Sequence, residues 1–137
     1  MSNTNYIAFI ERIIEMTKSN SLRWDYLDKK IELYQGMDWI QTKTRFDGFF
    51  GTKEVEYPNF DDENSFYAQI DGTYIVLRVC DKKPANLYVV PYTYKKVVKL
   101  SADIYGEYIT RLMNIVQSKF PSAENFIDAF LKNEDKK

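Results

Sequence analysis

Histidine is absent from this chain of 137 residues, and cysteine occurs once, as Cys80. The first absence removes the Ser–His or Cys–His nucleophile, the histidine general base and the histidine metal ligand. The second leaves no internal disulfide and no cysteine-based zinc site. Charge of one sign is lacking too: 19 Lys+Arg stand against 20 Asp+Glu. A net charge of -1 argues against a generic nucleic-acid binder, which needs a basic surface to displace counterions from phosphates, and equally against an acidic mimic of DNA. Long apolar runs are missing. Tyr74-Ile75-Val76-Leu77 is among the longest, far short of the roughly 18 residues of a membrane helix. The opening Met1-Ser2-Asn3-Thr4-Asn5 has neither the basic residue nor the apolar stretch of a secretory signal. These features imply a cytoplasmic protein with no membrane partner and no cofactor.

What is present suits one folded domain over residues 1–137. Residues are 45% hydrophobic, too many for a disordered chain, and 16% aromatic. The 5 Gly and 4 Pro fall mainly between periodic segments, and no linker, repeat or low-complexity tract interrupts them. Lys132 to Lys137 reads as a frayed polar tail. Ile7, Ile10, Ile13 and Ile14 predict an amphipathic helix from about Asn5 to Lys18, capped near Asn3 or Thr4. Leu27, Ile31 and Tyr34 predict a short helix within Asp25–Gln35, closed by Gly36. From Trp39 to Tyr57 the period falls to two, with Thr42, Thr44 and Phe46 alternating with Lys43, Arg45 and Asp47 before Gly48 and Gly51 interrupt. One or two strands with a turn or bulge fit that pattern.

Asp71-Gly72 lies between two alternating runs, the pattern of a two-residue hairpin whose turn positions both need positive φ. That turn sets Ile70 opposite Thr73, Ala68 opposite Ile75 and Phe66 opposite Leu77 on a core face that Val79 extends. Tyr67, Gln69, Tyr74, Val76, Arg78 and Cys80 fall on the other face. Leu87–Val90 predicts a further strand ended by Pro91, and Val97–Leu100 a short one. Ser101 caps the strongest helix pattern, Ala102–Lys119, where Gly106 would allow a close neighbour. After Pro121-Ser122 a last short helix is expected to turn Phe126, Ile127, Phe130 and Leu131 inward. The order of helices, strands and helices predicts an α+β fold: an antiparallel β-meander of four to five strands flanked by N-terminal and C-terminal helices packed on one face.

No motif carries chemistry. Asp61-Asp62-Glu63, even with Asp47, Glu54 and Glu56, lacks the ligand alternation and sixth-position glycine of an EF-hand loop. Gly48-Phe49-Phe50-Gly51-Thr52-Lys53 has two residues between its glycines where a P-loop has four. Phe49-Phe50 lacks the alternation of an RNA-recognition strand. Cys80, without a histidine beside it, reads as a small half-buried hydrophobe. Lys82-Lys83 and Lys95-Lys96 with Lys99 read as solvated loop rims.

The residues that invite a partner are Tyr67, Tyr74 and Arg78, which share the face opposite the core, with Tyr88 and Tyr92 extending it. Tyrosine and arginine are over-represented at interface hot spots. The expected function is therefore a non-catalytic protein-binding module that occupies a surface on another protein. The alternative is a small ligand or nucleotide held in a pocket between sheet and helices.

Thr17-Lys18-Ser19-Asn20-Ser21-Leu22-Arg23-Trp24, with Tyr26-Leu27 behind it, resembles the opening of small uncharacterised α+β proteins of Gram-positive bacteria and their mobile elements. In those, an N-terminal helix ends in a polar turn and a Leu-x-Trp step. Tyr105-Gly106-Glu107-Tyr108-Ile109 through Ile115 resembles their closing helix. The resemblance implies an accessory protein of a bacterium, phage or mobile element, such as an inhibitor or immunity-type protein, and assigns no site residue.

Overall fold

Helix α1 (Tyr6–Lys18) begins where Asn5 offers its side-chain oxygen to the Ala8 N–H at 2.9 Å, in a computed structural model that describes residues 5–46 and 48–135. The expected caps, Asn3 and Thr4, lie outside the described residues. Asn20 (φ 62) reverses the chain into strand β1 (Trp24–Tyr26). A 3-10 turn at Leu27–Lys29 and a short helix α2 (Ile31–Gly36) follow. The helical spacing of Leu27, Ile31 and Tyr34 is thus realised in two pieces. The start of the expected helix, at Asp25 and Tyr26, is instead drawn into a strand by pairing with Tyr67 and Phe66.

Strands β2 (Ile40–Phe46) and β3 (Thr52–Pro58) form a separate two-stranded ribbon. Strands β4 (Phe66–Ile70) and β5 (Thr73–Arg78) meet at Asp71-Gly72, where φ is 47 and 84, as that turn requires. Their register sets Ile70 opposite Thr73, Ala68 opposite Ile75 and Phe66 opposite Leu77. Strands β6 (Asn86–Val90) and β7 (Val98–Leu100) complete an antiparallel sheet in the order β1-β4-β5-β6-β7. Pro91 ends β6, consistent with its missing donor.

Helix α3 (Ala102–Ser118) starts on Ser101, whose hydroxyl accepts the Asp103 N–H. It bends at Tyr105 (φ -113, ψ 18), and nothing lies within 4 Å of where a Gly106 Cβ would be. The room that Gly106 allows for a neighbour is left unused. The fold is α+β. Helices α1 and α3 cover the face made by Phe66, Ala68, Ile75, Leu77, Leu87 and Leu100. Ile10, Ile13, Ile14, Ile109, Leu112 and Val116 descend onto it from the two helices. Thr17, buried in α1, donates to the Ile13 carbonyl and accepts from the indole of half-buried Trp24 at 3.0 Å, so neither polar group is left unpaired.

The sheet is covered on both faces, whereas the sequence suggested helices on one. Leu27, Leu33 and Trp39, with Tyr34, Met37, Phe60, Tyr94 and Val97, form a second layer over Tyr74, Val76, Tyr88 and Val90. Strand β5 is buried from Tyr74 through Leu77 without a break. Its four-residue apolar run is the pattern of a strand buried on both faces.

The last helix, α4 (Ala123–Asp135), corrects a second expectation. It includes residues 132–135 of the expected polar tail, while 136 and 137 lie outside the described residues. Phe126, Ile127, Phe130 and Leu131 do not face inward: all four are exposed, Phe126 at 69%. Phe120 already fills the core corner they would have entered, with its ring 4.7 Å from Tyr26 and 4.8 Å from Phe66. Pro121 then turns the chain away. The double substitution Phe126→Ser/Phe130→Ser is expected to change unfolding free energy by less than about 0.5 kcal/mol, as exposed positions do. Urea denaturation checks this, and a loss above about 2 kcal/mol would show that the helix packs in solution.

Candidate functional site

Of the five residues that the sequence offered as a contact surface, the fold buries two and half-buries two. Tyr74 is 9% exposed and Tyr88 is 7% exposed, while Tyr67 and Arg78 are partly covered. Only Tyr92, at 73%, lies open, on the loop after β6. The facing assignment was right, since Tyr67, Tyr74, Arg78 and Tyr88 do lie opposite the Phe66 face. Their expected exposure is corrected, because the segment from Leu27 to Trp39 folds over them. Tyr67 and Tyr74 meet edge to face at 6.4 Å, and Tyr94 lies parallel to Tyr74 at 6.5 Å. Burial raises the Tyr94 hydroxyl pKa above the ordinary phenolic value, helped by Tyr74 and Glu32 and opposed by Lys30. Exchanging Tyr74 and Arg78 for alanine would thus injure the fold rather than bare a docking patch.

Arg78 is the polar centre of this layer. Its guanidinium carbon lies 4.8 Å from the Trp39 ring centre, a stacked cation–π arrangement. Nη2 donates to the Asn59 carbonyl at 2.7 Å and Nη1 reaches the Tyr88 hydroxyl at 3.5 Å. Nε is buried without a partner, and among the described residues no carboxylate pairs with this cation. Asn59 also receives the Gln41 amide at 2.7 Å and the Cys80 thiol at 3.5 Å. Trp39, Arg78, Asn59 and Gln41 together fasten the base of the β2–β3 ribbon to the sheet, and Cys80 belongs to that fastening.

Beyond this base the ribbon is an arm. Its strands pair only with each other, over seven residues each, and nearly every side chain is exposed. At about 3.3 Å per residue it reaches roughly 23 Å. A 3-10 turn at Gly48–Phe50 forms the tip. Phe46 is 78% exposed and Phe49 103%. The register divides the arm by charge. Lys43 faces Val55, Arg45 faces Lys53 and Gln41 faces Tyr57 on one side, while Thr42 faces Glu56 and Thr44 faces Glu54 on the other. The basic side holds a shallow trough of about 400 Å³ lined by Lys43, Arg45, Val55 and Tyr57. Arg45 and Lys53 are like charges directly opposite one another, an unfavourable pair, and among the described residues none of these three cations has an ion-pair partner.

The acidic loop after β3 turns back on itself. Asp61 spends its carboxylate on the Glu63 N–H and the Asn64 amide, a self-contained turn. Asp47 lies outside the described residues, and among the described ones no cluster could hold a metal. A groove of about 260 Å³ runs beside α3, lined by Val79, Ala85, Ile109 and Met113. At its rim the Gln117 amide is already paired with Asn64.

Sequence reasoning did not single out Phe46, Phe49, Lys43, Arg45 or Lys53 as contact residues. The signal was present in Thr42–Phe46: a strand with an alternating pattern but no apolar side has no core to lie on. No helix among the described residues is long and apolar enough to cross a membrane. No protein-family model, curated protein or solved structure matches this chain.

Proposed function

We propose that this chain is a non-catalytic protein-binding module that makes contact through the β2–β3 arm, as an inhibitor or immunity-type accessory protein of a bacterium, phage or mobile element would. The observation that carries the reading is the arm's tip. Phe46 and Phe49 are the two most exposed large apolar side chains among the described residues, and they stand at the end of a ribbon anchored rigidly at its root. Aromatic side chains held open on a fixed scaffold are the anchors of protein interfaces. The resemblance to small proteins of Gram-positive mobile elements supports the same setting.

The test is affinity capture from the native host with three baits: the wild-type chain, Phe46→Ser/Phe49→Ser and Phe126→Ser/Phe130→Ser. A protein retained in near-stoichiometric amount by the first and third baits, and lost with the second, is the expected result. Equal retention by the arm-tip variant, or no retained protein with any bait, refutes the proposal.

A further inference from the structure

We infer that the β2 edge of the arm takes up an extended, acidic segment of a partner protein as a third strand. The inference rests on the reading of the arm as the contact element and adds the chemistry of what it receives. Three observations converge on it. First, no backbone group from Ile40 to Phe46 bonds outside the ribbon among the described residues, so β2 offers an open row of donors and acceptors. Such a row is a template for strand addition. Second, β2 contains no carboxylate and no proline, whereas β3 carries Glu54 and Glu56 and ends in Pro58, which has no N–H to give. The incoming strand is therefore directed to β2.

Third, charge selects the occupant. A strand laid along β2 places every second side chain beside Lys43 and Arg45, the two cations of β2 on the basic side of the ribbon. Acidic side chains at those alternate positions neutralise cations that have no partner of their own. A second copy of this chain is disfavoured at the same edge: antiparallel self-pairing centred on Lys43 would put Lys43 opposite Lys43 and Arg45 opposite Gln41, on a face with four cations and no carboxylate from the two β2 strands. A nucleic acid is disfavoured because the reverse side of the ribbon presents Glu54 and Glu56, and it would leave the free backbone groups of β2 unused.

The experiment uses the full chain and a synthetic peptide of alternating glutamate and valine. A peptide of the same composition with its glutamates in one block, and a single-stranded oligothymidylate, serve as comparators. Binding is followed by fluorescence anisotropy and amide hydrogen exchange. The alternating peptide is expected to bind and to slow exchange of the β2 amides. Lys43→Glu/Arg45→Glu is expected to weaken it roughly tenfold and to gain a matching preference for an alternating lysine–valine peptide. Circular dichroism confirms that this surface variant remains folded. Absence of binding at millimolar peptide, binding without protection of β2, or tighter binding of the block peptide or the oligothymidylate overturns the inference. Each of those results leaves the arm-tip capture experiment standing, so the two readings fail separately.

Discussion

Trp39→Ala should cost about 3–5 kcal/mol of folding free energy, one of the two largest losses expected of a single substitution in this protein. Trp39 is 7% exposed and packs its ring 4.9 Å from Tyr88, in a T-shaped contact. Truncation removes that contact and opens a cavity in the smaller of the two apolar layers. It also strips the aromatic face from Arg78, leaving a half-buried guanidinium whose Nε already lacks a partner. The Trp39 backbone is a junction as well, because its N–H donates to Tyr34 and its carbonyl accepts from Asn59. Phenylalanine retains part of the ring stacking, so Trp39→Phe should recover more than half of the loss. Urea denaturation monitored by far-ultraviolet dichroism provides the measurement. A Trp39→Ala loss below about 1 kcal/mol would mean that the second layer does not form in solution.

Phe66→Ala should cost a similar amount, about 3–5 kcal/mol, from the opposite face of the sheet. Phe66 is essentially fully buried, and its ring lies 5.3 Å from Tyr26 and 4.8 Å from Phe120. It joins strand β1, strand β4 and the end of helix α3 in one cluster. A domain of this size holds about 5–15 kcal/mol in total, so either substitution spends a large fraction of the margin. The two sites lie on opposite faces of the sheet in separate apolar layers, so the double variant should lose close to the sum of the two single losses, within about 0.5 kcal/mol, if it folds at all. A loss under about 1.5 kcal/mol for Phe66→Ala would contradict the tight packing described.

The hairpin was the most legible part of the fold, because Asp71-Gly72 admits few alternatives and fixes the face of every residue from Phe66 to Val79. Helices α1 and α3 were equally plain, since their apolar stripes repeat over more than three turns. What alternation cannot say is whether the face away from the first core meets water or a second layer. Tyr74, Val76 and Arg78 suit either, and the deciding group, Leu27, Leu33 and Trp39, is distant in sequence. The unbroken run Tyr74–Leu77 was the available hint. Helix α4 failed for the converse reason: Phe126, Ile127, Phe130 and Leu131 make a stripe, but a stripe does not name its neighbour. The arm was seen as strands, yet its role was hidden because Lys43, Arg45 and Lys53 acquire meaning only once the register gathers them on one side.

Strand β5 gives Ile75 and Leu77 to one apolar layer and Tyr74 and Val76 to the other. Neither layer can therefore melt while its counterpart survives, and calorimetry should record one transition rather than two. Proteases and hydrogen exchange should divide the chain along a different boundary: nicking and rapid exchange at the arm and at α4, and near silence through the central strand. The arm and α4 can thus be cut while the doubly covered sheet stays folded.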